Sequence, residues 1–404
     1  MCCVLRCCVL AITLLLLAVA ASLPVMAESD ATAGHPLLVG YFPQWGVYGN
    51  PRYLVKNLIT SGAAGRLDQL NYAQGSVVND RCAVADANAD LGVNFAAAES
   101  VNGVADDPAQ TLRGNFHQLQ ELREKYPKLR ILISLEGKAG LFRSAAKAKR
   151  RAAFVASCID VFVRGNFGGS AQGAGIFDGF DIDWENARSG DRKDYVALLE
   201  EFRRQMDRVR PGLVLSATGP AGQEYYQRMD LAAMGRIADQ VGVMNYDYNG
   251  PWSGTTGLLA PLYGIDGDPV AANTVDATIQ AYLKAGVPAR KLLMGIPFYA
   301  YEWDRVKAEN HGLFQKGKKV KEDQPYRYIQ TIADKFEQFR DEKSLAPWLY
   351  DGTTFWTYED AESIRRKMEY GRSQKLGGVM VWELSGDSDN GELLKTIADS
   401  EQGR

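Results

Sequence analysis

Eight short runs rich in β-branched, aromatic and other apolar residues recur along this chain, and helix-like stretches separate most of them. Few folds accommodate that alternation. The runs are 37–45 (LLVGYFPQW), 68–77 (DQLNYAQGSV), 129–137 (LRILISLEG), 176–185 (IFDGFDIDWE), 213–221 (LVLSATGPA), 238–248 (ADQVGVMNYDY), 291–301 (KLLMGIPFYAY) and 377–387 (GGVMVWELSGD). Between them, PAQTLRGNFHQLQELREKYP, KAKRRAAFVASCIDVFVRGNF, DYVALLEEFRRQMDRVRPG and ATIQAYLKAGVP repeat apolar residues at spacings of three and four, as amphipathic helices do. Strands alternating with helices predict a parallel sheet of the α/β class. Eight such units in about 370 residues predict a (β/α)8 TIM barrel. The gap between the seventh and eighth runs is too long for one helix. Roughly residues 302–357 therefore read as a small α+β insertion. Its most charged stretch, QKGKKVKED, reads as a solvated hairpin or loop and not as a binding patch.

The chain opens with MCCVLRCC, whose one positive charge is Arg6. An apolar run, VLAITLLLLAVAASL, and a small-residue exit near Val25-Met26-Ala27 follow. That order reads as a secretory signal over residues 1–27, leaving 28–404 for the barrel. An uncleaved anchor competes, but the run is short for a bilayer span. The expected location is outside the cytoplasm, extracellular or periplasmic, with no membrane association after cleavage. Beyond the signal only Cys82 and Cys158 remain. One disulfide in an exported protein and two separate buried thiols both stay open. His35, His117 and His311 are far apart and there is no CxxC, so neither a zinc site nor a His-based nucleophile is expected. No cofactor is expected. A formal net charge of −3 over 404 residues gives no reason to expect a nucleic-acid partner. A monomer is expected.

The fourth run carries the chemistry. FDGFDIDWE, residues 177–185, sets Asp178, Asp181, Asp183 and Glu185 among Phe180, Ile182 and Trp184. Alternate side chains of a strand face opposite ways, so Asp181, Asp183 and Glu185 share one face and the bulky apolar residues the other. In a barrel the acidic face points inward, and Glu185 lies toward the C-terminal end, where this fold carries its active sites. Asp178 has the opposite parity and reads as structural. Three close inward carboxyls cannot all ionise cheaply, so at least one keeps its proton near neutral pH and can serve as a general acid. Glu185, the longest and nearest the mouth, is the candidate. Asp183 can hydrogen-bond to a group beside it, and Asp181 can share a proton with Asp183. A solvated acidic turn would not interleave large apolar residues. A hard-metal site would draw ligands from several elements.

DGFDIDWE resembles the DxxDxDxE signature of the family 18 glycoside hydrolases, the chitinases, in their bacterial form with an α+β insertion. The resemblance spans nearly all of the mature chain. LLVGYFPQWGVY is similar to the family's first strand, MNYDYNGPW to its sixth, LLMGIPFYAY to its seventh and GGVMVWELSGD to its eighth. It implies an endochitinase or chitooligosaccharide hydrolase that cleaves β-1,4-linked N-acetylglucosamine with retention. The mechanism it implies is substrate-assisted, an exception to the two-carboxylate scheme. By motif position, Glu185 would be the general acid/base, Asp183 would orient the 2-acetamido group, Asp181 would partner Asp183, and Tyr246 would donate a hydrogen bond to the acetamido oxygen. Met244 and Asp247 would shape the pocket, Trp382 would form its apolar floor, and Tyr41 and Ser134 would support Asp181. Trp252, in a matching GPW, would contact substrate. Trp45, Trp303, Trp348 and Trp356 read equally as cleft or as insertion packing. Where the family has Ser-x-Gly-Gly, this chain has Ser134-Leu135-Glu136-Gly137, followed by Lys138 in place of a frequent Trp; Asn186-Ala187 and Ala300-Tyr301 depart as well. These departures surround the cleft and spare the signature acids. An endo-β-N-acetylglucosaminidase and a chitin-binding lectin without hydrolysis are the alternatives; the presence of Glu185 argues against the lectin.

Overall fold

The computed structural model describes residues 35–136, 139–168, 171–268, 271–320 and 323–401. The signal-like residues 1–27, and Gly137 and Lys138, lie outside them. Eight strands form the centre: β1 (Leu37–Pro43), β2 (Gln69–Val78), β3 (Arg130–Glu136), β4 (Gly179–Asp183), β5 (Val214–Pro220), β6 (Gln240–Met244), β7 (Leu292–Pro297) and β8 (Gly378–Trp382). Neighbours in sequence are neighbours in the sheet, and β1 pairs in parallel with both β2 and β8, so the sheet closes. This is the (β/α)8 barrel that the eight alternating runs predict.

The outward faces of the strands bury against helices. Phe180 and Ile182 of β4 are fully buried there. They meet the helix Arg192–Val209, whose buried residues Tyr195, Leu198, Leu199, Phe202 and Met206 recur at three and four spacing. The Phe180 and Phe202 rings lie 5.2 Å apart. Pro211, which cannot continue the helix, follows two residues past its end. Gly179 opens β4 because nothing larger fits: a Cβ there would stand 1.9 Å from the carbonyl oxygen of Val214 on β5. Asp178, just before it, accepts a two-pronged bond from Arg123 (2.5 and 2.8 Å) and one from the Ile131 N–H (3.0 Å). It ties the helix Gly114–Lys125 to the base of the barrel, the structural part its parity predicts.

Inside the barrel, the floor is neutral. Gln69 and Gln240, at the starts of β2 and β6, exchange amide hydrogen bonds of 3.0 Å, and Gln69 also donates to Asn71 at 2.9 Å. The acids sit above this layer. Between β7 and β8 the strands Tyr299–Asp304, Phe355–Thr357, Pro347–Tyr350 and Glu337–Arg340 build an antiparallel sheet, joined by the helix Tyr326–Ile332. Trp303, Trp348 and Phe355 form the core of this insertion, and Trp356 packs against the main core. Lys318–Lys319, in the charged stretch, is an exposed edge strand. Of the two readings of the cysteines, the disulfide is the one found: Cys82, in the hairpin strand Arg81–Val84, is bonded to Cys158, at the end of the helix Arg151–Cys158. Among the described residues no helix is long and apolar enough to cross a membrane.

Candidate active site

β4 ends at Asp183, shorter than the apolar run that predicts it, so Glu185 stands two residues past the strand on the rim. The alternation still holds. Asp181 is fully buried, Asp183 is 6% exposed, and Glu185 opens on the cleft, so the acids occupy three successive depths. Alternate residues of a strand are separated by roughly 7 Å, close enough for each charge to be felt by the next.

Asp181 is held by hydroxyls from three strands. Tyr41 of β1 (2.7 Å) and Ser134 of β3 (2.9 Å) donate to its Oδ2, and Thr218 of β5 approaches Oδ1 at 3.4 Å. Burial pushes its carboxyl above the usual range while these hydroxyls and Ser216 pull it back. Asp183 has less help. Its Oδ1 is buried without a hydrogen-bond partner among the described residues. Burial first, and then the charges of Glu185, Asp181 and Glu136, hold its carboxyl well above the ordinary value. Glu185 is raised too, by desolvation. The cluster therefore retains protons where isolated carboxyls would have lost them.

Tyr246 follows β6 by two residues and is buried. Burial and the nearby Asp183 keep its phenol far above its usual range, so it remains an O–H donor. Asp247 adopts a left-handed backbone (φ +63°), unusual for a residue with a Cβ. Its Oδ1 accepts from Tyr299 (2.6 Å) and Tyr301 (3.0 Å). Burial pushes its carboxyl up to about 6, against the pull of those two hydroxyls. Met244 and Trp382, at the ends of β6 and β8, are half-buried and pack with Tyr41, Tyr246 and Tyr299. The Trp382 ring lies 5.3 Å from Tyr41 and 6.3 Å from Trp45, which is 43% exposed. Trp252 stands at the rim, 55% exposed and edge-on to Tyr301 at 5.4 Å.

A cleft of about 730 Å³ opens here, with Glu185, Thr218, Met244, Tyr246, Asp247 and Trp252 in its walls. The structure thus gathers Asp181, Tyr41 and Ser134 in direct contact, stacks Asp183 and Glu185 above them, and sets Tyr246, Met244 and Trp382 alongside. Trp252 joins the cleft wall at its rim. The sequence reading missed Ser216 and Thr218, although both are polar, inward and two apart in an otherwise apolar strand. It also missed the part of Tyr299 and Tyr301 in holding Asp247. Among the described residues, the histidine–carboxylate group compact enough for an ion is Asp106, His117 and Glu121. Its atoms already bond one another, the Phe95 N–H, Ser100 and Asn102, which accounts for them as a loop anchor.

A closed parallel barrel with graded carboxyls at its C-terminal mouth and an aromatic-rimmed cleft belongs to the class of (β/α)8-barrel glycosyl hydrolases. The family follows from sequence: residues 37–387 match Glycosyl hydrolases family 18, and the chain belongs to that family. Chitinase 63 of Streptomyces plicatus is 34% identical over 391 residues, and Chitinase C of Streptomyces lividans 35% over 381. These alignments cover 92% and 89% of this chain but only 61% and 58% of the relatives, so the chain spans about three fifths of their length. Among solved structures, the catalytic domain of psychrophilic chitinase B from Arthrobacter TAD20 is similar with a TM-score of 0.85 and 33% identity, over 92% of this chain and 96% of that one.

Proposed function

We propose that this chain is a chitinase, hydrolysing β-1,4 bonds between N-acetylglucosamine units of chitin or chitooligosaccharides with retention. The observation that carries the reading is Glu185: a carboxyl raised above its ordinary value by desolvation, open to the cleft and one strand-step above the unpartnered oxygen of Asp183. In the proposed mechanism Glu185 protonates the glycosidic oxygen as the bond to C1 breaks. The carbonyl oxygen of the substrate's own 2-acetamido group attacks C1 from the other face and forms an oxazolinium ion. Asp183 accepts the acetamido N–H and, as its proton passes to Asp181, becomes the carboxylate that balances the positive charge, while the Tyr246 O–H steadies the acetamido oxygen. Asp181, fixed by Tyr41 and Ser134, backs Asp183. Glu185, now a carboxylate, draws a proton from water, which opens the ring at C1 with net retention. Trp382 offers an apolar face to the sugar. The names of the similar proteins support the substrate class. Export is part of the proposal, and the Cys82–Cys158 disulfide fits an oxidising compartment.

The test is release of a chromophore from a labelled N,N′-diacetylchitobioside by the wild-type chain and by Glu185→Gln. We expect hydrolysis by the first and a loss of roughly 10³-fold or more in the second, with both folded. Absence of hydrolysis by folded wild type, with retained binding to chitin, would replace this reading by the lectin.

A further inference from the structure

The carboxyl of Glu136 has no part in that mechanism. Glu136 is the last residue of β3, and the β3–β4 ladder pairs it with Asp183 just as it pairs Ser134 with Asp181. Ser134 faces inward, since its hydroxyl reaches Asp181. Glu136, two residues on, faces the same way, at the level of Asp183 and Glu185. Resting on the reading above, we propose that Glu136 is a positioning residue for the proton of this site: its negative charge keeps the proton on the Asp183–Glu185 pair and sets the alkaline limit of hydrolysis.

Among the described residues nothing opposes that charge. From β4 it faces Asp181, Asp183 and Glu185. From β2, its other neighbour, the inward residues Asn71 and Ala73 carry no charge. The phenols of the inner wall, Tyr41 beside Asp181 and Tyr246 after β6, are neutral. Among the described residues no cation pairs with it. Burial, then Glu185 and Asp181, pushes its carboxyl up to about 7. The charge of Glu136 acts in turn on Asp183, its ladder partner below Glu185, and raises that carboxyl. Below about pH 7 Glu136 is neutral and exerts no such field. Above it, ionised Glu136 makes the loss of the next proton harder, just where a general acid would otherwise fail. A Ser-x-Gly-Gly segment has no carboxyl at this position.

The experiment is the pH profile of kcat/KM on the labelled diacetylchitobioside for wild type, Glu136→Gln and Glu136→Asp, with carboxyl ¹³C titration of Glu185 in the same proteins. Removing the charge is expected to move the alkaline limb, and the Glu185 midpoint, down by roughly half to one pH unit. Glu136→Asp keeps the charge and is expected to stay close to wild type. A change confined to KM, with limb and midpoint unmoved in Glu136→Gln, would mean that Glu136 only shapes the cleft, and the inference would fall. If wild type hydrolyses nothing, the hydrolase reading fails by itself. The carboxyl titration then still decides the coupling: a lowered Glu185 midpoint in Glu136→Gln upholds it, and an unchanged one overturns it.

Discussion

Tyr246 shows how narrowly a role can be separated from a fold at the level of one residue. Its ring belongs to the small inner cluster with Tyr41, Tyr299 and Met380, 6.0 Å from the Tyr299 ring. Its hydroxyl has no hydrogen bond of its own among the described residues, and burial beside Asp183 keeps it protonated. A donor poised over an acid and left unpaired by the protein is suited to a ligand oxygen. Tyr246→Phe keeps the packing and removes only that donor. We expect kcat on the diacetylchitobioside to fall by roughly 10²-fold, with the thermal midpoint close to wild type. A fall in stability with little change in kcat would assign the hydroxyl to the fold. Asp247, next in the chain, is the opposite case: both of its bonds come from Tyr299 and Tyr301, so the protein already uses its acceptor oxygen to fix the loop after β6.

The elements differ in how they are held. Barrel strands are locked by neighbours on both sides, but the hairpin strand Arg81–Val84 pairs only with the end of β2. The Cys82–Cys158 bond fastens it to the helix Arg151–Cys158 across 76 residues of chain. A loop of that length gives a chain-entropy stabilisation of about 4.5 kcal/mol as an upper figure, and roughly 2–4 kcal/mol is the usual yield. Replacing both cysteines by alanine is therefore expected to lower urea-unfolding stability by that amount while leaving hydrolysis at 25 °C nearly intact; an unchanged midpoint would show that the hairpin needs no tether. Element identity was legible in the sequence because parallel strands are buried on both faces and read as apolar runs. Boundaries were less so. The run KLLMGIPFYAY contains both β7 and the first insertion strand, Tyr299–Asp304, with no glycine or polar turn residue after Pro297 to divide them. Parity alone placed Asp181, Asp183 and Asp178 correctly. The tie from Tyr299 and Tyr301 to Asp247 spans 52 and 54 residues, and no local pattern encodes a contact of that range. Trp303, Trp348 and Trp356, undecided from sequence, are buried in packing, while Trp45 lies exposed beside Trp382.

For the molecule as a whole, the mouth of the barrel is a store of protons. Asp181, Asp183, Glu185, Glu136 and Asp247 all bind their protons more tightly when folded than when exposed. Between the unfolded carboxyl range, about pH 4, and their higher folded values, the native state thus holds more protons than the unfolded chain. Stability must then fall as pH rises through that window. Ion pairs such as Arg143–Asp191, where the arginine pulls the carboxyl down, act in the other sense and favour the fold above about pH 4. The net slope is their sum, but a single substitution isolates one contributor. Asp183→Asn is nearly isosteric, abolishes the titration, and forfeits no protein hydrogen bond at the unpartnered Oδ1. It is expected to abolish hydrolysis and yet unfold at a higher urea concentration than wild type at pH 8. The gap should narrow as pH falls and close below about pH 3, where Asp183 is protonated both folded and unfolded. A variant no more stable than wild type at pH 8 would show that the acid cluster carries no folding cost, and that its crowding is relieved by something other than retained protons.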